Sequence, residues 1–326
     1  MKIKSLQINN CELIIKKLEN QPLISIITVN FNGNEITDLF LKSIFEITYK
    51  NIEVFVVDNA SSTSPDILKE KYPSINLIKS ANNVGFAAGN NLAIRQAKGE
   101  YFFLLNNDTE VQKNFLEPIV NLMEQNKNIG IASSKLLYFS NPTTIQYAGH
   151  TGINFYTGRG FGIGYMEKDD AKFNVNYRTN LAHGAAMLIS KAAIKKVGLM
   201  AELFFLYYEE IDFCERVKQA GLEIWYCGNS VVYHKESMTT GKSSPLKTYY
   251  LTRNRLIYTK RNTKGLQHLA CIIFFILIAT PKGLLSLLIN KEFNLIWPFL
   301  RGVLWNFKGN NISLNEGVIY NDFQII

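Results

Sequence analysis

Several short polar groups in this sequence could together hold a phosphate and a metal ion. The stretch YFFLLNNDTE (residues 101–110) runs from five large apolar side chains into Asn106, Asn107 and Asp108. A carboxylate at the carboxyl end of a buried strand stands where open α/β sheets bind ligands. A divalent cation carrying phosphate oxygens is the chemistry that would use it. The same three residues also suit a plain Asx turn, so the stretch does not decide by itself. Two earlier apolar runs end alike, at Asn30 and at Asp58. Later, Glu209, Glu210 and Asp212 follow the aromatic run FFLYY. Acids at a helix start are favoured by the helix dipole, and Asp212 with Arg216 can form an ordinary i, i+4 pair. Carboxylates beside buried aromatics also have raised pKa values, which suits a general base. His234 ends a further strand, and reads either as a structural histidine or as a ligand.

These side chains need a rigid frame. LISIITVN, IEVFVV, INLI, YFFLL and IGIAS are near-continuous apolar runs, the pattern of strands buried on both faces of a parallel sheet. Between them lie helical patterns. Ile36, Leu39, Phe40, Ile44 and Ile47 repeat at helical spacing through Glu35 to Tyr49. Ser64-Pro65 opens a short helix through Lys71. NNVGFAAGNNLAIRQAKG passes from a glycine-bearing loop into a helix, with Gly99 as its expected C-terminal cap. Strands alternating with helices predict a Rossmann-like, mostly parallel sheet with the ends at Asn30, Asp58 and Asn106–Asp108 along one edge. Residues 136–182 mix glycines with aromatics and read as loops and short strands. Then HGAAMLIS runs from a loop into a strand, Ser190 caps KAAIKKVG, the acidic helix closes at Gly221, and LEIWYC and SVVY read as two strands.

Composition bounds the class. With 326 residues, 47% hydrophobic and 19% charged, the chain is globular and excludes a disordered polymer. Four scattered cysteines without a CxxC pair argue against a disulfide framework or structural zinc, and suit a reducing cytosol. The first twenty residues lack the apolar core and cleavage site of a signal peptide. Of the net charge of +8, most sits between Lys235 and Lys264, where eight basic side chains face Glu236 alone. Such a block implies an anionic partner: a diphosphate, an acidic membrane surface or nucleic acid. No nucleic-acid reading module accompanies it, so nucleic acid is not expected. Residues 265–281 carry no formal charge, a run of 17, before Pro281, Lys282 and Gly283 interrupt it. This predicts two or more apolar helices at the membrane interface, or else a tail folded on the catalytic body or on a second copy. The expected organisation is an extension at 1–21, halves at 22–135 and 136–262, and an apolar helical tail at 263–326.

Taken in order, SIITVNFNG, VFVVDNASS, NNVGFAAGNN, YFFLLNNDT, GAAMLISKAAIKKVG, FFLYYEEIDFCERVKQAG and VVYHKES resemble the family 2 glycosyltransferases of the GT-A fold. The likeness is to the rhamnosyltransferase-like branch that builds bacterial surface polysaccharides. The resemblance implies a nucleotide-binding half fused to an acceptor-binding half. It implies that Asp58 meets the donor nucleotide, with Val29 and Asn30 beside it. Asn83, Gly85 and Asn90 would line the donor pocket. Asn106, Asn107 and Asp108 take the place of the family's DXD triplet, with Asn106 replacing its first carboxylate. Asp108 and His234 would then hold Mn²⁺ or Mg²⁺ largely through the donor diphosphate, the imidazole favouring Mn²⁺. The family's catalytic aspartate falls on Glu210, with Glu209 before it and the choice between them open. The implied reaction inverts the sugar by single displacement, with cations such as Arg253 or Arg255 offsetting the leaving charge. Donors would be thymidine-diphosphate-rhamnose or uridine-diphosphate hexoses, and the acceptor a glycan or lipid-linked glycan at the cytoplasmic face of the membrane, with an oligomer possible. The alternatives are a nucleotide-sugar nucleotidyltransferase, though TVNFNG lacks its basic signature, and an inactive membrane-bound scaffold suggested by Asn106 and Glu210.

Overall fold

The structure, a computed structural model, describes residues 21–235, 244–308, 313 and 317–319. The extension expected at 1–21, Gln21 apart, and Lys242 of the basic block lie outside the described residues.

The apolar runs form strands. β1 (Ile24–Asn30), β2 (Ile52–Asp58), β3 (Asn76–Lys79) and β4 (Tyr101–Leu105) pair in parallel in the order β3-β2-β1-β4. Helices α1 (Asn34–Phe45), α2 (Asp66–Lys71) and α3 (Gly85–Ile94) connect them. The strands do not alternate because both faces are covered. Ile24, Ile26 and Phe103 pack with Phe40 and Ile44 of α1, while Ile27, Phe102 and Leu104 pack with Ala87 and Ile94 of α3. Asn30 stands in register with Asp58, and Ile27 with Leu104, so the polar ends share one edge.

After Asp108 the sheet becomes mixed. β5 (Thr109–Val111), α4 (Leu116–Gln125), β6 (Ile129–Tyr138), β7 (Asn141–Tyr147) and β8 (Asn176–Thr179) follow, then β9 (Ala186–Ser190) and α5 (Lys191–Val197). β9 inserts antiparallel between β4 and β6. α6 (Glu209–Gln219) leads to β10 (Glu223–His234), completing a ten-stranded sheet ordered β3-β2-β1-β4-β9-β6-β10-β5, with β7 on β6 and β8 on β10. One sheet thus runs across the boundary expected at residue 135. LEIWYC and SVVY are a single strand rather than two. Its register on β6 shifts between Cys227 and Val231, and the irregularity lets one strand pass the polar Gly228-Asn229-Ser230 step.

α7 (Pro245–Asn262) carries the basic block and lies against α6. The expected surface pair of Asp212 and Arg216 is instead a buried cluster. Asp212 accepts from Arg216 Nε at 3.0 Å, Arg261 Nε at 2.7 Å and Asn262 Nδ2 at 2.9 Å. A desolvated carboxylate persists here because two guanidinium groups and an amide replace its water.

Three boundaries differ from the sequence expectation. α1 ends at Phe45, because Ile47 and Tyr49 reach the core from the following loop. α3 ends at Ile94, and Gly99 is not its cap. Gly99 instead lies so close to Ser25 and the Tyr101 carbonyl that a Cβ would collide with both. The tail does not break at Pro281: α8 (Gly265–Ile289) is one helix of 25 residues. A π turn at Phe275–Ala279 precedes the proline and takes up the missing hydrogen bond and ring clash that proline brings to a helix. α9 (Phe293–Trp305) returns along α7.

Removing the Asp212 carboxylate should take from Arg216 and Arg261 the buried carboxylate they share. Asp212→Ala is expected to lower unfolding stability by about 3–5 kcal/mol, read as a fall in the urea midpoint; an unchanged midpoint would show that Arg216 and Arg261 find water.

Candidate active site

The strand ends open into a cleft of about 410 Å³, within the range of small-molecule sites. At one end β5 pairs with β10, setting His234 opposite Thr109. The same ladder ties Lys235 N to Asp108 O at 2.9 Å. Asp108 Oδ1 and His234 Nε2 come within 3.1 Å, and His234 Nδ1 lies 2.7 Å from Gln146 Oε1. Burial would raise the Asp108 pKa, but the hydrogen bond and charge of His234, with Lys235 beyond, hold it below the ordinary carboxylate value.

The donor chemistry of this pair fits a divalent cation. With Nδ1–H donated to Gln146, a neutral His234 points its Nε2 lone pair at the Asp108 carboxylate. That repulsion is relieved by a proton on Nε2 or by a cation bound to both groups. The fit is partial: among the described residues no cluster of three or more His, Cys, Asp or Glu side chains could hold a metal by itself. Two protein ligands leave most positions of a six-coordinate ion for other oxygens.

Glu210 lines the same cleft from the start of α6. Burial raises its pKa above that of an ordinary glutamate. Glu209 is not among the residues lining the cleft and is only 3% exposed. Its pKa is raised further, first by burial and then by the charge of Glu210. Two buried acids at adjacent positions resist ionising together, so the pair gives up its protons in separate steps. His183, which sequence reasoning passed over, lines the same cleft. The Ala185 N–H donates to its Nδ1 at 3.2 Å, so the neutral ring carries its proton on Nε2. Its ring meets His234 edge-on, with centroids 6.1 Å apart. Burial and the neighbouring histidines lower its pKa to about 3.

The cleft gathers Val29, Asn83, Gly85, Asn106 and Asn107 together with Asp108, Glu210 and His234. Other expected site residues are not brought to its surface. Asn30 and Asp58 bond each other at 2.8 Å beneath the floor, and Asp58 also caps Ser61; the neighbouring Asn59 reaches the cleft instead. Asn90 turns back to the Phe86 carbonyl within α3. Arg253 and Arg255 do not face the cleft either. Arg253 donates to the carbonyls of Leu203 and Phe204, and Arg255 to that of Thr157. A guanidinium on a helix flank can satisfy itself on loop carbonyls, and charge counting cannot see this. The cleft cation among the described residues is Lys247, at the start of α7.

With this geometry in view, comparison with known proteins decides the class. A sequence model of glycosyl transferase family 2 matches residues 25–198, more than half of the chain. The chain belongs to glycosyl transferase family 2. It is 27% identical over 304 residues to the low-salt glycan biosynthesis hexosyltransferase Agl10 of Haloferax volcanii, covering 91% of this chain and 94% of that protein. An uncharacterized glycosyltransferase of Haemophilus influenzae is 24% identical, over 72% of this chain and 76% of its own length. Among solved structures, the mannosyltransferase PcManGT of Pyrobaculum calidifontis in complex with GDP-Man and Mn²⁺ superposes with a TM-score of 0.57 at 13% identity, over 90% and 89% of the two chains. GalNAc-T7 with UDP, GalNAc and Mn²⁺ gives 0.55 at 15% identity over 72% of this chain, which spans 49% of that one. The fold is that of the GT-A glycosyltransferases, and this family 2 member is an enzyme of sugar transfer. The family match ends before Glu210 and His234, so those two residues rest on the geometry described here.

His183 should stay neutral through the ordinary histidine range near about pH 6.5. Nitrogen-15 NMR is expected to show an unchanging Nε2–H tautomer there; a titration close to that pH would mean that the ring is solvated.

Proposed function

We propose that this glycosyltransferase moves a hexose from a nucleoside-diphosphate donor to a hydroxyl of a glycan or lipid-linked glycan, with inversion. The observation that carries this reading is one cleft holding, at one end, an Asp108 carboxyl of lowered pKa within hydrogen-bond distance of His234 and, at the other, a glutamate of raised pKa. The donor diphosphate lies at the Asp108 end, near Asn106, Asn107 and Lys247. Asp108 and His234 are the residues that would hold Mn²⁺ or Mg²⁺ there, and Mn²⁺ is favoured by the imidazole and by its presence in both similar structures. When bound, such an ion neutralises charge on the leaving diphosphate. The nucleotide occupies the side lined by Val29, Asn59, Asn83 and Gly85, with Asp58 and Asn30 shaping the floor from below.

Glu210 takes the proton of the acceptor hydroxyl as its oxygen attacks the anomeric carbon from the side opposite the leaving group. That geometry inverts the centre without an enzyme nucleophile. Repulsion between Glu209 and Glu210 opposes a second negative charge beside the base. The Lys247 ammonium offsets charge developing on the diphosphate. Uridine-diphosphate hexoses and thymidine-diphosphate-rhamnose are the donors to screen first.

The tail suits the cytoplasmic face of a membrane. α8 is long and apolar enough to cross one, with a mean hydropathy of 2.3 in its most apolar window. Leu266 is 82% exposed, and Leu277 and Ile289 are 68% exposed. Lys264, Lys282, Lys291 and Arg301, on or next to the tail helices, are exposed, and cations of this kind suit interfacial binding to anionic lipid.

Glu210→Gln and Asp108→Ala should each lower kcat by about 100-fold or more while the fold persists. In the unaltered enzyme the acid limb of kcat/KM should lie above the ordinary glutamate pKa of about 4.3, because activity needs Glu210 ionised. A limb at or below that value, or full activity in Glu210→Gln, would remove Glu210 from the role. Sedimentation with anionic phosphatidylglycerol vesicles should carry the full chain down, and Leu277→Glu with Ile289→Glu should release it. Equal sedimentation of both proteins would reject the tail as the contact.

A further inference from the structure

The segment before the proposed base has an unusual backbone. Phe205, Tyr207 and Tyr208 have φ of 64°, 67° and 77°, a region that side chains with a Cβ rarely adopt. Three such residues within four positions persist only where their surroundings over-determine them. These surroundings come mainly from one side chain. The two hydrogens of Asn254 Nδ2 are shared among the carbonyls of Phe204, Leu206 and Tyr207, at 2.9, 2.8 and 2.7 Å. Its Oδ1 accepts from Arg253 Nε at 2.8 Å, which fixes the amide with its donor end toward the segment. Arg253 reaches the carbonyls of Leu203 and Phe204, and its guanidinium is stacked 4.8 Å from the rings of both Tyr250 and Trp305. The remaining carbonyl, of Phe205, accepts from Phe86 N at 2.6 Å on the opposite wall. Gly85 is needed there, since a Cβ would strike Phe205.

Every carbonyl from 203 to 207 is therefore held, and the held segment is itself cleft wall through Phe205, Leu206 and Tyr207. Its next residues are Glu209 and Glu210. We propose that Asn254, oriented by Arg253, is a positioning residue for transfer: it holds residues 203–208 in the left-handed path that aims the Glu210 carboxylate into the cleft. This rests on the assignment of Glu210 as base. Asn254 is fully buried and does not line the cleft, so it acts through the segment and not on substrate. Without it the three strained residues relax and Glu210 turns toward water.

The titratable groups around Glu210 are Glu209 and Cys214 on its own helix, Tyr208 just before it, and His183 across the cleft. The test compares Asn254→Ala, Arg253→Lys and Val217→Ala in the full chain. Val217→Ala is a buried cavity variant on the Glu210 helix and controls for lost stability. The first readout is the carboxyl titration of Glu210 by carbon-13 NMR, assigned by its absence in Glu210→Gln. It should fall toward the ordinary glutamate value in Asn254→Ala, move partway in Arg253→Lys, and stay put in Val217→Ala. The second is release of nucleoside diphosphate from UDP-N-acetylgalactosamine, GDP-mannose and thymidine-diphosphate-rhamnose with Mn²⁺. For whichever donor is cleaved, kcat should fall about 10- to 100-fold in Asn254→Ala with KM little changed. An Asn254→Ala protein that is folded and keeps the Glu210 titration overturns the proposal, as does one that keeps kcat. If Asn254→Ala does not fold, an Arg253→Lys protein with unmoved titration overturns it. Cleavage that survives Glu210→Gln sinks the base assignment instead, and the titration still reports on positioning.

Discussion

Asp108 and His234 are 126 residues apart in the chain and 3.1 Å apart in space. The link between them is the short antiparallel ladder of β5 on β10, and the cleft depends on it. The parallel half of the sheet brings Asp108 to its edge but supplies no second ligand for an ion. β10 must run the length of β6, pass its irregularity after Cys227, and still arrive in register opposite Thr109. A one-residue slip would turn His234 to the other face of the sheet. Gln146, at the end of β7, then fixes the ring from behind. Ring orientation is thus set by two strands before any ligand arrives.

The two ends of the cleft treat a buried carboxylate in opposite ways. Both Asp108 and Glu210 are desolvated, which favours the protonated form. Asp108 has an imidazole at hydrogen-bond distance and a lysine on the next strand position, and these win. Glu210 has only backbone donors of its own helix start against burial, and burial wins. Glu209 sharpens the contrast, because two adjacent buried acids resist carrying two negative charges at once. One end is therefore ready to share an anion with a cation, and the other to accept a proton.

Much of this was legible before any coordinates. Apolar runs ending in Asn30, Asp58 and Asn106–Asp108 require a parallel edge, and the register confirms that they share it. What the runs do not show is which polar end faces outward. Asn30 and Asp58 satisfy each other below the floor, while Val29 and Asn59 emerge; neighbours in a strand point to opposite faces, so a one-position error exchanges floor for lining. The insertion of β9 against the parallel strands was equally hidden, since a short buried strand has the same apolar pattern in either direction. His183 could have been suspected from its place beside the small residues of HGAAMLIS, where the loop has no bulk of its own to fill a cleft. The tail misled for a different reason. Proline ends most helices, and only a π turn one step earlier makes room for Pro281.

The basic block shows where charge counting stops being a guide to partners. Of its cations, Arg261 is committed to Asp212, and Arg253 and Arg255 to loop carbonyls. Lys247 remains in the cleft. Three arginines of the block are therefore part of the framework of α7, where they replace water for a buried acid and for a wall of strained backbone. Guanidinium groups suit that task because a planar fork can satisfy two carbonyls while its faces stack on aromatic rings. The same helix carries α9 on its outer side, where Asn306 donates to the Arg253 carbonyl at 3.1 Å and Trp305 covers the guanidinium. Apolar tail, arginine clamp and cleft wall are thus consecutive layers of one packing. The tail is thereby fastened, through α7, to the elements that shape the cleft.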